Sequence, residues 1–260
     1  VLPVSTLLQP RDYLNAWQLY AVLSALVLGI IVAGISGSTA IHAPAIQLTP
    51  LGAPPIWPFL FITIACGAVS GFHCLVASGT TAKQLKKETD AKGVGYGAMI
   101  LEGFLAIVVI ITVTGGIGMG YTLSSGETLS GIDAWQTHYA SWTSSSGLGS
   151  KLSAVVVGAS NILSTLGIPL VLGTTIMGVF IASFAATTLD TAVRIQRYVI
   201  GELIVKTRLK RWGQTPVITT GIAVGSGMLL AFSSGPNGKG ALLLWPLFGA
   251  VNQLLAGLAL

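Results

Sequence analysis

The chain has 260 residues, of which 52% are hydrophobic and only 8% are charged. A water-soluble domain carries about 25% charged residues, so this composition excludes one. The net charge of +5 comes from basic residues in short connections between apolar runs, which indicates membrane topology rather than nucleic-acid binding.

Six apolar runs are long enough to cross a membrane, whose hydrocarbon core of about 30 Å needs about 20 helical residues. The predicted spans are residues 13–35, 56–78, 96–115, 168–189, 216–233 and 241–260. The chain starts without Met and stops inside the sixth run, so we expect an internal piece of a longer membrane protein. The fold class predicted is an all-α polytopic helix bundle.

Small and polar residues follow one face of the second span at spacings of three and four. They are Cys66, Ser70, His73, Ala77 and Thr80. Gly67 and Gly71 form a GxxxG, which allows a second helix to approach closely or the helix to break. The imidazole of His73 suits a proton-linked step. The alternative is that His73 only hydrogen-bonds to a neighbouring helix.

Glu102 lies about seven residues into the third span. A carboxylate at that depth is either part of an ion or proton path, or a side chain that pairs with lysines near the membrane surface. Both interpretations stay open.

A shorter apolar segment, residues 152–166, precedes the fourth span and ends at a Gly-Ile-Pro helix stop. About 15 residues cannot cross a bilayer, so we expect a re-entrant or interfacial helix. The alternative is one long bent helix that continues into the fourth span.

The inner end of the fourth span carries Thr187, Asp190, Arg194 and Arg197 on one face. Asp190 and Arg194 have the spacing of an i,i+4 ion pair, which is typical of a helix that continues into the cytosol. Alternatively, Thr187 and Thr188 help to line an ion site and Asp190 forms an inner gate.

Two neighbouring amides, Asn252 and Gln253, lie in the last span, and amides at that depth must hydrogen-bond to other helices.

Lys and Arg number one, zero, four, one, six and one in the successive connections before and between the six predicted spans. This alternation predicts that residues before 13, about 80–95 and 191–215 are cytoplasmic, provided that 152–166 does not cross.

Motifs of soluble enzymes and metal sites are missing from the sequence, so we expect no catalytic residue, metal or cofactor. The chain contains no P-loop, no dinucleotide fingerprint, no zinc-type spacing and no nucleophile elbow. Cys66 and Cys74 are separated by eight residues of one predicted helix, or roughly 12 Å, which is too far for a disulfide.

Five motifs resemble those of the carbon starvation protein A (CstA) family of bacterial inner-membrane carriers. They are PRDYL (10–14), WPFLFITIACGAVSGFHCLVASGTTAKQL (57–85), YGAMILEGF (96–104), TTLDTAVRIQRY (187–198) and LWPLFGAVNQLLA (244–256). One departure is Ala82, where proline is expected in the family.

The resemblance implies uptake of peptides or pyruvate during carbon starvation, coupled to protons or sodium. It also implies a LeuT-like inverted-repeat fold, in which substrates bind near broken helices. Substrate-binding residues would be Gly67, Ser70, Gly71 and His73. Ion-coupling or gating residues would be Glu102, Thr187, Thr188 and Asp190. Other expected partners are the lipid bilayer and the remaining helices of the full-length chain. The alternative is a non-transporting starvation sensor or membrane scaffold on the same fold.

Overall fold

The structure is a computed structural model that describes residues 4–48, 51–57, 64, 67, 71–123, 125–145, 147–206 and 213–259. These residues are predominantly helical, and the strands among them form a two-stranded antiparallel hairpin in which Tyr121 pairs with Leu129. The predicted all-α class is therefore confirmed, while the inverted-repeat arrangement stays a prediction.

Helices and strands follow one another in this order. The first helices are α1 (Val4–Ile35), α2 (Gly71–Val76) and α3 (Asp90–Ile111). α2 continues as a π-helix (Ala77–Thr81), and α3 continues as a π-helix (Thr112–Gly116) and a 3-10 turn (Ile117–Met119). After β1 (Tyr121–Thr122) and β2 (Thr128–Leu129) come α4 (Gly131–His138), α5 (Trp142–Ser145) and α6 (Leu148–Ser164). The last helices are α7 (Leu170–Val205), α8 (Pro216–Phe232), a 3-10 turn (Gly240–Leu244) and α9 (Trp245–Ala259).

Three helical stretches among the described residues are long and apolar enough to cross a membrane. They are Pro10–Ile35, Asp90–Met119 and Leu170–Val205. α6 and α8 are shorter apolar helices. Residues 58–63, 65, 66 and 68–70 of the predicted second span, residues 56–78, lie outside the described residues. α7 continues to Val205, past residue 189 where the fourth predicted span ends, as expected of a helix that extends beyond the apolar run. Its 36 residues extend over about 54 Å, well beyond the hydrocarbon thickness.

The segment between α6 and α7 is a turn. Gly167 has a φ of +83°, a left-handed conformation that glycine adopts without steric cost, and its N–H bonds to the carbonyl of Ser164. α6 and α7 are therefore separate helices and do not form one long bent helix. Whether α6 is re-entrant stays a prediction.

The chain divides into two compact units. The first unit comprises Leu8–Ile56 and Lys92–Phe184, and the second comprises Val1–Leu7, Trp57–Ala91 and Ala185–Leu260. The main core of the first unit is built from α1, α3, α6 and α7. Its buried residues are Val22, Leu23, Leu26, Val108, Ala159, Ile162, Leu163 and Met177. In the second unit, Gln196 of α7 donates to the hydroxyl of Ser226 of α8 at 2.9 Å.

Candidate functional site

The described part of the predicted substrate segment changes from α to π geometry. After α2, the N–H of Ala82 bonds to the carbonyl of Ala77 at 2.9 Å, which is the five-residue spacing of a π-helix. Thr80 is buried there, and its hydroxyl donates to the carbonyl of Val76 at 2.7 Å. Short π segments inside helices occur frequently at functional sites. The segment therefore deviates from a regular helix within a few residues of His73.

Asn252 of α9 is hydrogen-bonded to the beginning of α2. The backbone N–H of Phe72 donates to Oδ1 of Asn252, whose side chain is buried. The prediction that an amide in the last span bonds to another helix is thus confirmed for Asn252. The structure adds the identity of its partner, which is the backbone next to His73.

The predicted substrate-binding residues lie at the beginning of this segment. His73 is exposed on α2, and Gly71 is the first residue of that helix. Gly67 is helical, and a Cβ added to it would meet no atom within 4 Å. Ser70 lies outside the described residues, as does Cys66.

The predicted coupling residues of the fourth span lie on the continuous helix α7. Thr187 and Asp190 are half-buried and Thr188 is exposed, and the hydroxyl of Thr191 donates to the carbonyl of Thr187 at 3.1 Å. α7 thus continues unbroken through Asp190 and Arg194, and their ion pair stays a prediction.

The π-helix after α2 and the second half of α7 belong to the same unit, and they approach each other at Gly79 and Ile195. A Cβ added to Gly79 would lie 4.0 Å from Cγ1 of Ile195. A cavity of about 700 Å³ is lined by residues on both sides of this contact, among them Ser78 and Tyr198. Glu102 lies in the first unit, on α3, with an exposed side chain.

The first unit contains a polar site that the sequence analysis did not recognise. The side-chain amide of Asn161 donates to the carbonyls of Gly116 at 2.9 Å and Gly120 at 2.6 Å. Gly116 is the last residue of the π-helix after α3, and Gly120 directly follows the 3-10 turn. An asparagine in the middle of an otherwise apolar helix was the available signal, but its partners lie more than 40 residues away in the chain.

Next to Asn161, the backbone of α6 is in close contact with the backbone of the π-helix after α3. A Cβ added to Gly158 would lie 2.1 Å from the carbonyl oxygen of Thr112, and one added to Gly116 would lie 2.4 Å from the carbonyl oxygen of Gly158. Only glycine at positions 116 and 158 allows the backbones of α6 and of the π-helix after α3 to pack this closely. The glycines and Asn161 together hold the irregular end of α3 against α6.

A buried histidine lies in the connection between α3 and α7, outside the candidate membrane-spanning stretches. The ring of His138 is 5.1 Å from the ring of Tyr121 and 4.6 Å from the ring of Tyr139. Burial lowers the pKa of His138, against the opposing effect of a hydrogen bond with Ser150. Burial also raises the pKa of Tyr139. The described residues contain no group of three His, Cys, Asp or Glu side chains placed to hold a metal ion.

Comparison with known proteins identifies similar sequences over the whole chain. The family model described as "Carbon starvation protein CstA" matches residues 1–260. The chain is 35% identical over 304 residues to the Peptide transporter CstA of Helicobacter pylori, covering 100% of this chain and 42% of the relative. It is 34% identical over 322 residues to the Pyruvate/proton symporter BtsT of Escherichia coli strain K12, covering 100% of this chain and 43% of that relative.

A third relative is the Peptide transporter CstA of Mycobacterium tuberculosis, with 34% identity over 303 residues, covering 100% of this chain and 39% of the relative. The chain thus spans about two fifths of the length of the curated relatives that it matches. No solved structure matches it.

Proposed function

The chain belongs to the carbon starvation protein CstA family, and from this membership we propose that it is part of a secondary transporter that imports peptides or pyruvate. The observation that carries the proposal is the family match over residues 1–260. Relatives that cover the whole chain are named as a peptide transporter and as a pyruvate/proton symporter. The long apolar helices fit a membrane protein of this kind.

The proposed substrate site is the segment that carries Gly67, Ser70, Gly71 and His73. Secondary transporters bind substrates where helices are discontinuous, near the middle of the membrane. Two features support this location: the π-helix (Ala77–Thr81) that follows α2, and the bond from Phe72 to Asn252. Peptides and pyruvate both carry a carboxylate, which the N–H groups of an interrupted helix would attract.

Coupling is proposed to use protons, by analogy with the symporter among the relatives. His73 carries an imidazole, a group that can accept and donate a proton, and Glu102 is the carboxylate of the third predicted span. We assign Thr187 and Thr188 to the neighbourhood of a coupling ion, and Asp190 to an inner gate. Alternating access, a LeuT-like inverted-repeat fold and an inner-membrane location with residues 80–95 and 191–215 cytoplasmic complete the proposal.

Uptake by vesicles that contain the purified full-length protein tests this function. Labelled pyruvate and a labelled dipeptide are supplied separately, with and without an imposed proton gradient. Accumulation of either compound that depends on the gradient is the expected result. If protein shown to be folded takes up neither compound, transport is contradicted and the sensor interpretation is favoured.

Substitution of His73 tests the site itself. His73→Ala and His73→Gln are expected to abolish gradient-driven uptake, because neither side chain can exchange a proton near neutral pH. Cys74→Ala is the matched control, since Cys74 is the exposed neighbour on the same short helix and is expected to leave uptake unchanged. Membrane insertion is checked for all three variants. Uptake by His73→Gln at the level of the unmodified protein would remove His73 from proton handling.

A further inference from the structure

The cavity of about 700 Å³ in the second unit carries an unbalanced positive charge. Its charged lining residues are Lys83, Arg197 and Lys206, opposed by one carboxylate, Glu202. Lys83 follows the π-helix after α2, and the other three residues lie on or directly after the last turns of α7. Within the part of the chain that the structure describes, none of these three basic side chains forms an ion pair. The site therefore has a net charge that a bound anion would neutralise.

Two of the cations converge on one aromatic ring. The ammonium nitrogen of Lys83 lies 5.4 Å from the ring centroid of Tyr198, and the guanidinium carbon of Arg197 lies 5.0 Å from the same centroid. Each contact is a favourable cation–π interaction. Bringing two like charges to one ring is nonetheless costly in the absence of a counter-charge, since they repel each other. An ammonium and a guanidinium group thus lie within 6 Å of the same ring centroid, where an anion would reduce their mutual repulsion.

The rest of the cavity wall is rich in apolar side chains. Leu75 comes from α2, Val199 and Val205 come from α7, and Pro216 begins α8. A small inorganic anion would leave this apolar wall uncovered, whereas an amphiphile would cover it and would place its charged end against the basic residues. The combination of a basic cluster and an apolar wall is the pattern by which membrane proteins bind the headgroups of anionic lipids.

We propose that this cavity binds an anionic phospholipid. The phosphate diester lies between Lys83 and Arg197, where the guanidinium group can donate two hydrogen bonds to phosphate oxygens. An acyl chain lies along Leu75 and Val199. This lipid site is separate from the proposed substrate segment at Gly67 to His73, and its occupancy is measured without reference to transport.

Binding is tested on the full-length protein in detergent by native mass spectrometry. The probes are dioleoylphosphatidylglycerol and the zwitterionic dioleoylphosphatidylcholine, with inorganic phosphate as a competitor. The unmodified protein is expected to retain phosphatidylglycerol in preference to phosphatidylcholine. Because each basic residue near an anionic lipid contributes roughly fivefold in affinity, the pair Lys83→Gln and Arg197→Gln is expected to weaken phosphatidylglycerol binding about 25-fold.

Two further variants make the result specific. Lys86→Gln with Lys92→Gln removes the same charge from exposed lysines that do not line the cavity, and it is expected to change affinity less than twofold. The swap Lys83→Arg with Arg197→Lys keeps the charge and is expected to retain the lipid preference. If the neutral pair does not fold, as judged by its melting temperature, the lipid comparison on the unmodified protein and the swap decide.

Three results would overturn the proposal. The first is equal affinity for phosphatidylglycerol and phosphatidylcholine. The second is an equal loss of binding in the neutral pair and in the control pair at Lys86 and Lys92. The third is displacement of phosphatidylglycerol by inorganic phosphate at equal concentration, which would identify a site for free phosphate rather than for a lipid.

Discussion

Replacement of Gly158 by alanine tests the close contact between α6 and the π-helix of α3. The added Cβ would lie 2.1 Å from the carbonyl oxygen of Thr112, where ordinary van der Waals contact begins at 3.4 Å. The obstructing atoms belong to the backbone, so no side-chain rotation relieves the overlap, and the two helices must move apart.

The expected magnitude follows from two opposing effects. Overpacking of this kind costs about 3 kcal/mol, while alanine gains about 1 kcal/mol over glycine inside a helix. The net loss of about 2 kcal/mol corresponds to a fall in melting temperature of about 4–8 °C for a chain of this size. Thermal unfolding of the detergent-solubilised protein, followed by circular dichroism, measures this change.

Gly178→Ala is the matched control. Gly178 lies within α7, more than two turns from its beginning, and a Cβ added there would meet no atom within 4 Å. Only the gain in helix propensity applies, so the melting temperature is expected to rise by about 2–4 °C. A Gly158→Ala variant that is as stable as Gly178→Ala would refute the proposed contact between α6 and the end of α3.

Two further predictions concern the first unit. Asn161→Ala leaves the carbonyls of Gly116 and Gly120 without their donor and is expected to cost about 2–4 kcal/mol, because buried unpaired polar groups are expensive. Denaturant unfolding measures this loss, and an unchanged midpoint would contradict the role of Asn161. Because burial lowers the pKa of His138, the unfolded chain takes up a proton there more readily than the folded chain. Stability from this residue is complete above about pH 6.5 and declines as the pH falls below it. Between pH 7.5 and 5, the melting temperature of the His138→Gln variant is expected to fall less than that of the unmodified protein. An identical pH dependence of the two melting temperatures would exclude the effect.

The helical class could be predicted from sequence because the signal is local. A run of about 20 apolar residues must hydrogen-bond its backbone internally within lipid, and a helix does so without help from distant residues. The exact ends of the helices were harder to predict: the spacing of Asp190 and Arg194 indicated that α7 continues past the apolar run, but not that it ends at Val205. Hydropathy indicates which part of a helix is apolar, but it does not indicate where the helix stops.

Polar residues within apolar runs divide into those whose role was predicted and those whose role was not. Asn252 was predicted to bond to another helix, because a buried amide needs a partner, and it accepts from the N–H of Phe72. Asn161 lies in the short apolar segment 152–166, and the sequence analysis assigned it no role. Its function in holding Gly116 and Gly120 depends on the end of α3, which no local pattern around Asn161 describes.

Sequence alone determined that this protein is a helical membrane protein, and its motifs indicated the family that the comparison then identified. Tertiary structure alone decided which residues meet. It placed Gly158 against Thr112, and it brought Lys83 and Arg197 to the ring of Tyr198. The physical reason is the range of the interactions: backbone hydrogen bonding and burial in lipid act within one helix, whereas close packing and charge clustering depend on helices that are distant in the chain.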